Sequence, residues 1–169
     1  MNLLYFVSIF LHILSATIWI GGIFFIMLVI GPFIRKQNHV DSSDFLENLG
    51  KNFRTVSWIC LITLCITGMV NLHIRGVMIS DLRNLIWINT AWGHVVILKI
   101  IIFVFILLNS IWHDFFIGKR SILETRRAAN IDLIKKLKLK ATLAGRINAL
   151  LAVAILIVAI VLVRDFLVL

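Results

Sequence analysis

The sequence predicts an all-α integral membrane protein, an up-down four-helix bundle with both termini on the extracytoplasmic side. The composition and the lengths of the apolar stretches predict this class. Hydrophobic residues make up 61% of the 169 residues and charged residues 15%, whereas a soluble domain averages about half apolar and about a quarter charged residues. One small core cannot bury so much apolar surface, which excludes a soluble globule, a disordered chain and a disulfide-rich secreted module.

Four stretches are long enough to cross a membrane as helices, which takes about 20 mostly apolar residues. They lie at about 3–34, 55–74, 91–117 and 143–163, within one predicted domain over 1–169. The first stretch has no basic residue before it and is too long for a signal peptide, so we expect a mature helix. Gly31 and Pro32 are expected to close it, because proline resists continuing a helix.

The basic residues predict how the helices are oriented. The net charge is +9, and thirteen of the seventeen Lys and Arg lie in or beside the first and third connections. The positive-inside rule places both connections in the cytoplasm, with a prokaryotic inner membrane as the expected location and the lipid bilayer, not nucleic acid, as partner. The basic connection over about 118–142 is expected to be either a short helix on anionic headgroups or a polar extension of the fourth helix.

Histidines inside the apolar stretches are candidate functional groups, because ionisable side chains are costly in a bilayer. Measured along a helix from the nearest cytoplasmic cation, His12, His73 and His94 lie at depths of roughly 35, 29 and 38 Å. All three are therefore expected toward the extracytoplasmic face, whereas His113 lies near the inner end of the third helix. Inward side chains from facing helices are how bundles build cofactor sites.

Helical spacing ranks these candidates. His12, Trp19 and Gly22 share one stripe of the first helix with small residues. A regular second helix turns His73 away from the polar face that ends at Asn71. On the third helix, His94 and His113 fall within one arc and Lys99 lies further round. The candidate cofactor-binding residues are therefore His12, His94, His73, His113, Lys99, Trp19 and Gly22.

The chemistry of imidazole favours a bound metal. Neutral imidazole is a good ligand for haem iron, copper or zinc. A haem with two histidine ligands suits His12 and His94, with His73 as a substitute if the second helix unwinds near Asn71, whereas copper needs three ligands whose depths converge. His113 is expected either to anchor its helix or to contact a proton pathway or quinone, and Lys99 to meet haem propionates, quinone oxygens or an Asp. No catalytic residues are identified, since no nucleophile, base and acid set and no phosphate-binding loop occurs.

Five motifs together resemble the CopD-like, or copper resistance D, membrane proteins. They cover nearly the whole chain: LHILSATIWIGGIFF (11–25), TGMVNLHIRG (67–76), TAWGHVVILK (90–99), NSIWHDFFIGKR (109–120) and AGRINALLAV (144–153). The first motif also resembles that of HemJ-type protoporphyrinogen oxidases, in which the first-helix histidine is a haem ligand. The resemblance implies a four-helix membrane domain with His12 as a ligand, and it leaves both copper and b-type haem open.

The sequence departs from the CopD-like pattern in ways that add imidazoles. Ala91 stands where the family usually has Pro, His94 where it has Arg, and His73 where an apolar residue is usual. These departures favour a bis-histidine haem b protein that passes electrons between quinol and an extracytoplasmic redox partner. The alternatives are a copper-binding or copper-transport protein, a HemJ-like oxidase and an assembly subunit without cofactor. A homodimer is compatible with each.

Overall fold

The computed structural model describes residues 3–35, 41–118 and 131–166, which contain helices and connecting turns but no strand. In chain order the helices are α1 (Leu3–Phe25), a π-helical segment (Ile26–Ile30), α2 (Gly31–Arg35), α3 (Asp41–Ile74), a 3₁₀ turn (Asp81–Arg83), α4 (Leu85–Ile88), α5 (Ala91–Ile111), a second π-helical segment (Trp112–Gly118) and α6 (Ile131–Phe166). The all-α prediction is confirmed.

Four helical stretches are long and apolar enough to cross a membrane. They are Leu3–Phe33, Asn48–Ile74, Ala91–Phe116 and Leu139–Val163. Between 11% and 22% of the most apolar part of each stretch is buried inside the chain, so most of its apolar surface stays uncovered. Because exposing that much apolar surface to water is unfavourable, the chain is an integral membrane protein whose helices contact lipid.

The first helical pair consists of α1 and α3, which pack antiparallel. Three contacts show the register: Tyr5 bonds Arg75, His12 bonds Thr67, and the Phe53 ring lies against Gly22. Residue numbers rise along α1 as they fall along α3. The apolar residues buried in this part of the chain include Trp19, Cys60 and Leu61.

The expectation that Gly31 and Pro32 end the first helix is wrong, because the helix continues through α2 to Arg35. The preceding turn is π-helical, and the Gly31 N–H donates to the Ile26 carbonyl five residues earlier. Proline cannot donate to the carbonyl four residues earlier, and its ring collides with that carbonyl in a regular helix. A π-helical turn directly before Pro32 accommodates this break in the regular hydrogen-bond ladder, and the helix continues.

The second helical pair consists of α5 and α6, joined by side-chain hydrogen bonds. Asn109 Nδ2 donates to the Ala144 carbonyl at 2.9 Å and to Asn148 Oδ1 at 2.7 Å. Asn148 Nδ2 donates in turn to Ser110 Oγ at 3.1 Å. Such bonds between membrane helices contribute about 0.6 kcal/mol each on average, and they set the register of this pair.

Two helices begin well before the predicted membrane boundary. α3 starts at Asp41 and α6 at Ile131, whereas the apolar stretches begin at about 55 and 143. Residues 131–138 therefore extend the fourth helix beyond its membrane-spanning part, which begins at Leu139; a polar extension was one of the two alternatives expected for the basic connection. The rest of that connection, 119–130, lies outside the described residues.

Candidate functional site

His12 is half-buried on the face of α1 that packs against α3, where its ring meets a threonine. His12 Nδ1 lies 2.8 Å from Thr67 Oγ1. Thr67 Oγ1 in turn lies 2.6 Å from the Thr63 carbonyl oxygen. The carbonyl carries no hydrogen, so the single hydroxyl hydrogen of Thr67 points to Thr63, and the hydroxyl accepts from His12. The hydrogen of the neutral imidazole is therefore on Nδ1, and the lone pair is on Nε2.

The backbone of α3 leaves room for this ring at Gly68. A Cβ atom built on Gly68 would lie 3.7 Å from His12 Cε1, so the imidazole lies directly over the glycine. One turn earlier on α1, Ser8 Oγ donates to the Thr67 carbonyl at 3.4 Å. Ser8, His12 and Thr67 thus form a polar strip between α1 and α3.

Trp19 and Gly22 lie further along the same face of α1, toward its second half. Trp19 is buried, with 3% of its surface exposed. A Cβ atom on Gly22 would collide with the Phe53 ring of α3. The space beside Gly22 is therefore occupied by the Phe53 ring, which was not among the candidate residues.

His94 is exposed in the first turn of α5, and its ring bonds its own helix end. His94 Nδ1 lies 3.0 Å from the Thr90 carbonyl oxygen, which also accepts the His94 backbone N–H at 3.0 Å. Because a carbonyl oxygen only accepts hydrogen bonds, Nδ1 carries the hydrogen here too. The neutral His94 ring therefore has its lone pair on Nε2, as the His12 ring does.

The start of α5 is a tightly packed helix cap that explains the TAWG element of the third motif. Thr90 Oγ1 accepts from the Gly93 N–H at 3.0 Å and donates to the Trp87 carbonyl at 2.7 Å. A Cβ atom on Gly93 would collide with that same carbonyl oxygen. The rings of Trp87 and Trp92 meet edge to face, with centroids 5.6 Å apart. Gly93 is thus required by packing, and the cap sets the position of His94.

His73 and Lys99 have different surroundings from the two rings described above. α3 stays α-helical to Ile74, so it does not unwind near Asn71, and His73 is exposed in its last turn. The condition under which His73 was expected to replace a ligand is therefore not met. Lys99 is half-buried within the membrane-spanning part of α5, five residues after His94.

His113 lies in the second π-helical segment and pairs with a neighbouring carboxylate. Its Nδ1 is 2.8 Å from Asp114 Oδ1, and Asp114 is buried at 9% exposure. Both residues lie within the third membrane-spanning stretch. π-Helical segments often mark functional positions. Along the helix, His113 lies roughly 28 Å from His94 at the usual rise, so the two belong to opposite ends of the stretch.

A metal site of three or more ligands finds no support within either helical pair. Among the described residues of each pair, no three side chains of His, Cys, Asp or Glu lie together as such a site requires. A haem held by two histidines needs only one ligand from each side. His12 belongs to the first helical pair and His94 to the second. The contacts of each ring given above are contacts within its own pair.

The hydrogen-bond partners of the two histidines were not singled out by the sequence analysis. Thr67 lies 55 residues from His12, and that separation hides the contact in a linear reading. Thr90 carried a signal, because Thr directly before an apolar helical stretch is typical of a helix N-cap. The signal identifies the cap but not the second bond that the Thr90 carbonyl accepts from the His94 ring.

Comparison with known proteins gives one distant relative. The chain is 28% identical over 115 residues to an uncharacterized protein of Aquifex aeolicus (strain VF5), an alignment that covers 67% of this chain and 70% of that protein. No family model matches the sequence, and no solved structure matches it significantly. These comparisons bear on neither the CopD-like nor the HemJ-like resemblance.

Proposed function

We propose that this chain is a b-type cytochrome of the membrane, with His12 and His94 as the two ligands of one haem. The observation that carries the proposal is the shared state of the two rings. Each donates Nδ1–H to an oxygen that accepts, which leaves the lone pair on Nε2. Metal-bound histidines usually have this arrangement, in which an oxygen orients the ring and raises the basicity of the ligating nitrogen.

The proposal includes a particular assembly of the two helical pairs. We propose that they form one up-down four-helix bundle with both termini on the extracytoplasmic side of a prokaryotic inner membrane. The charge distribution supports the orientation, since the connections rich in Lys and Arg then lie in the cytoplasm. In that arrangement His12 and His94 lie toward the same face of the membrane, as two ligands of one haem must.

The surrounding residues would position the ligands and control their environment. Thr67 and the Thr90 carbonyl hold the two rings in one orientation. Trp19 and Phe53 fill the packed side of the first pair and keep water from it. Haem iron supplies one-electron transfer, at a potential set by its ligands, hydrogen bonds and burial.

The donor of the electrons in this proposal is membrane quinol, and the acceptor is an extracytoplasmic redox protein. Lys99, half-buried within the membrane-spanning part of α5, is the cation that we place nearest to the quinone or the haem propionates in this proposal. The extracytoplasmic position of His12 and His94 supports the acceptor side.

The decisive experiment is the visible spectrum of the purified full chain, with the haem-to-protein ratio measured. We expect a b-type α band in the reduced protein and one haem per chain. His12→Ala and His94→Ala should each abolish or strongly reduce bound haem. His73→Ala and His113→Ala are the matched controls and should retain it.

Three outcomes would overturn the proposal. The first is a reduced protein without a b-type band, and the second is unchanged haem in both ligand variants. The third is metal analysis that finds copper without iron, which would favour the copper-binding alternative. If His12→Ala retains haem and His94→Ala loses it, the haem has a ligand pair that does not include His12.

A further inference from the structure

The N-terminal end of α6 carries a feature that the proposed cytochrome does not use. Residues 131–138 extend the helix beyond its membrane-spanning part, which begins at Leu139. Just at this boundary, Lys136 and Lys140 lie one turn apart and both are exposed. Between them, a shallow groove with an almost wholly apolar lining is formed by Leu133, Lys136, Leu137, Leu139 and Lys140.

The two lysines lie along the same exposed side of α6 as a row of apolar side chains. Leu139, Leu143 and Leu150 on this side are 70%, 54% and 71% exposed. Leu137, the buried floor of the groove, and Ala144 mark the packed side of the helix, at 7% and 0% exposed. At 100° per residue the lysines lie within roughly 80° of the centre of the exposed row. Apolar surface suited to acyl chains therefore runs directly into a pair of cations.

We propose that this groove, which we call the α6 groove, binds an anionic phospholipid of the bilayer. Lys136 and Lys140 would meet the phosphate and the charged headgroup. The apolar floor and the exposed leucines below it would contact the first part of the acyl chains. The charge of the groove, its place at the boundary of the span and its continuity with the lipid-facing row favour a lipid over a protein partner.

The proposal is independent of haem, and it does not require a particular orientation of the chain. It needs only that headgroups lie where the apolar part of α6 ends, as they do on either side of a bilayer. A basic residue near an anionic surface contributes about fivefold in affinity. Two such residues should therefore contribute about 30-fold in the affinity for the headgroup.

Native mass spectrometry of the purified full chain tests this, with dioleoyl phosphatidylglycerol compared with dioleoyl phosphatidylcholine. We expect the wild-type chain to bind phosphatidylglycerol more tightly than phosphatidylcholine. The Lys136→Gln/Lys140→Gln double variant should bind phosphatidylglycerol about 30-fold more weakly. The Lys136→Arg/Lys140→Arg variant should retain most of the affinity, because it keeps both charges.

A second double variant, Lys51→Gln/Arg83→Gln, is the control, because it removes the same charge at exposed residues of α3 and the 3₁₀ turn. It should bind phosphatidylglycerol within about twofold of the wild type. Three results would overturn the proposal: no phosphatidylglycerol preference in the wild type, an equal loss in the control variant, or full retention in the Lys136→Gln/Lys140→Gln variant. A dimer that dissociates in that variant, without any lipid preference, would assign the groove to a second copy of the chain.

Discussion

Replacing Thr67 by valine tests whether the hydroxyl sets the orientation of His12. Valine has nearly the same shape but offers no acceptor, so the Nδ1–H that now lies 2.8 Å from Thr67 Oγ1 loses its partner. A side-chain hydrogen bond between membrane helices contributes about 0.6 kcal/mol on average and about 1.7 kcal/mol at most. Since His12 is only half-buried, we expect a loss of about 1 kcal/mol in the stability of the α1–α3 pair.

The effect on a bound metal should be larger than the effect on stability. Loss of a group that orients a ligating histidine typically lowers metal affinity about 10- to 100-fold. We therefore expect Thr67→Val to weaken haem binding at least about tenfold in a haem titration of the apoprotein. Thr67→Ser keeps the hydroxyl and should bind haem nearly as the wild type does.

Thr63→Val is the matched control on the same face of α3. The Thr63 hydroxyl donates to the Ile59 carbonyl at 2.8 Å, within its own helix. This variant should change haem affinity less than about threefold, within the usual scatter of a surface substitution. If Thr67→Val binds haem as tightly as Thr63→Val does, the hydroxyl does not position His12 and the reasoning is refuted.

Two further predictions concern packing and are measured as thermal midpoints of the purified chain. Gly93→Ala should destabilise the chain by about 1–3 kcal/mol, because the new methyl group meets the Trp87 carbonyl. Gly145→Ala should stabilise it by about 0.5–1 kcal/mol, because the new methyl group meets nothing within 4 Å. Equal midpoints of the two variants would contradict this prediction. Asn148→Leu should cost about 1–2 kcal/mol, because Asn109 Nδ2 loses one of its two acceptors and Ser110 Oγ loses its donor. Asn109→Leu/Asn148→Leu should recover part of that loss, because it also removes the amide that has lost an acceptor. A double variant less stable than the single one would contradict the second prediction.

The membrane-spanning stretches were predictable because the length of an apolar run is a local property of the sequence. The helix ends were less predictable. Polar residues outside the bilayer can stay helical, so hydropathy marks the thickness of the lipid and not the start of α3 or α6. Pro32 was misjudged for a related reason: the rule that proline ends a helix assumes regular α geometry, and a π turn removes that assumption.

The exposure of His73 was predictable from helical spacing, and His12 was placed on the packing face of α1 for the same reason. Neither prediction needed more than the rotation of 100° per residue. The contact of Phe53 with Gly22 was not predictable in this way, because it depends on how α1 and α3 are aligned. Spacing along one helix carries no information on that alignment.

Composition and periodicity alone predict an integral membrane protein with four apolar helices, and they identify the histidines that these helices carry. The folded chain adds which oxygen each imidazole meets: the Thr67 hydroxyl across the first pair and the Thr90 carbonyl at the start of α5. Those contacts place the hydrogen on Nδ1 and the lone pair on Nε2. Hydropathy and spacing depend on one helix at a time, whereas the state of a ring depends on atoms brought to it by the register between helices and by the geometry of a helix end.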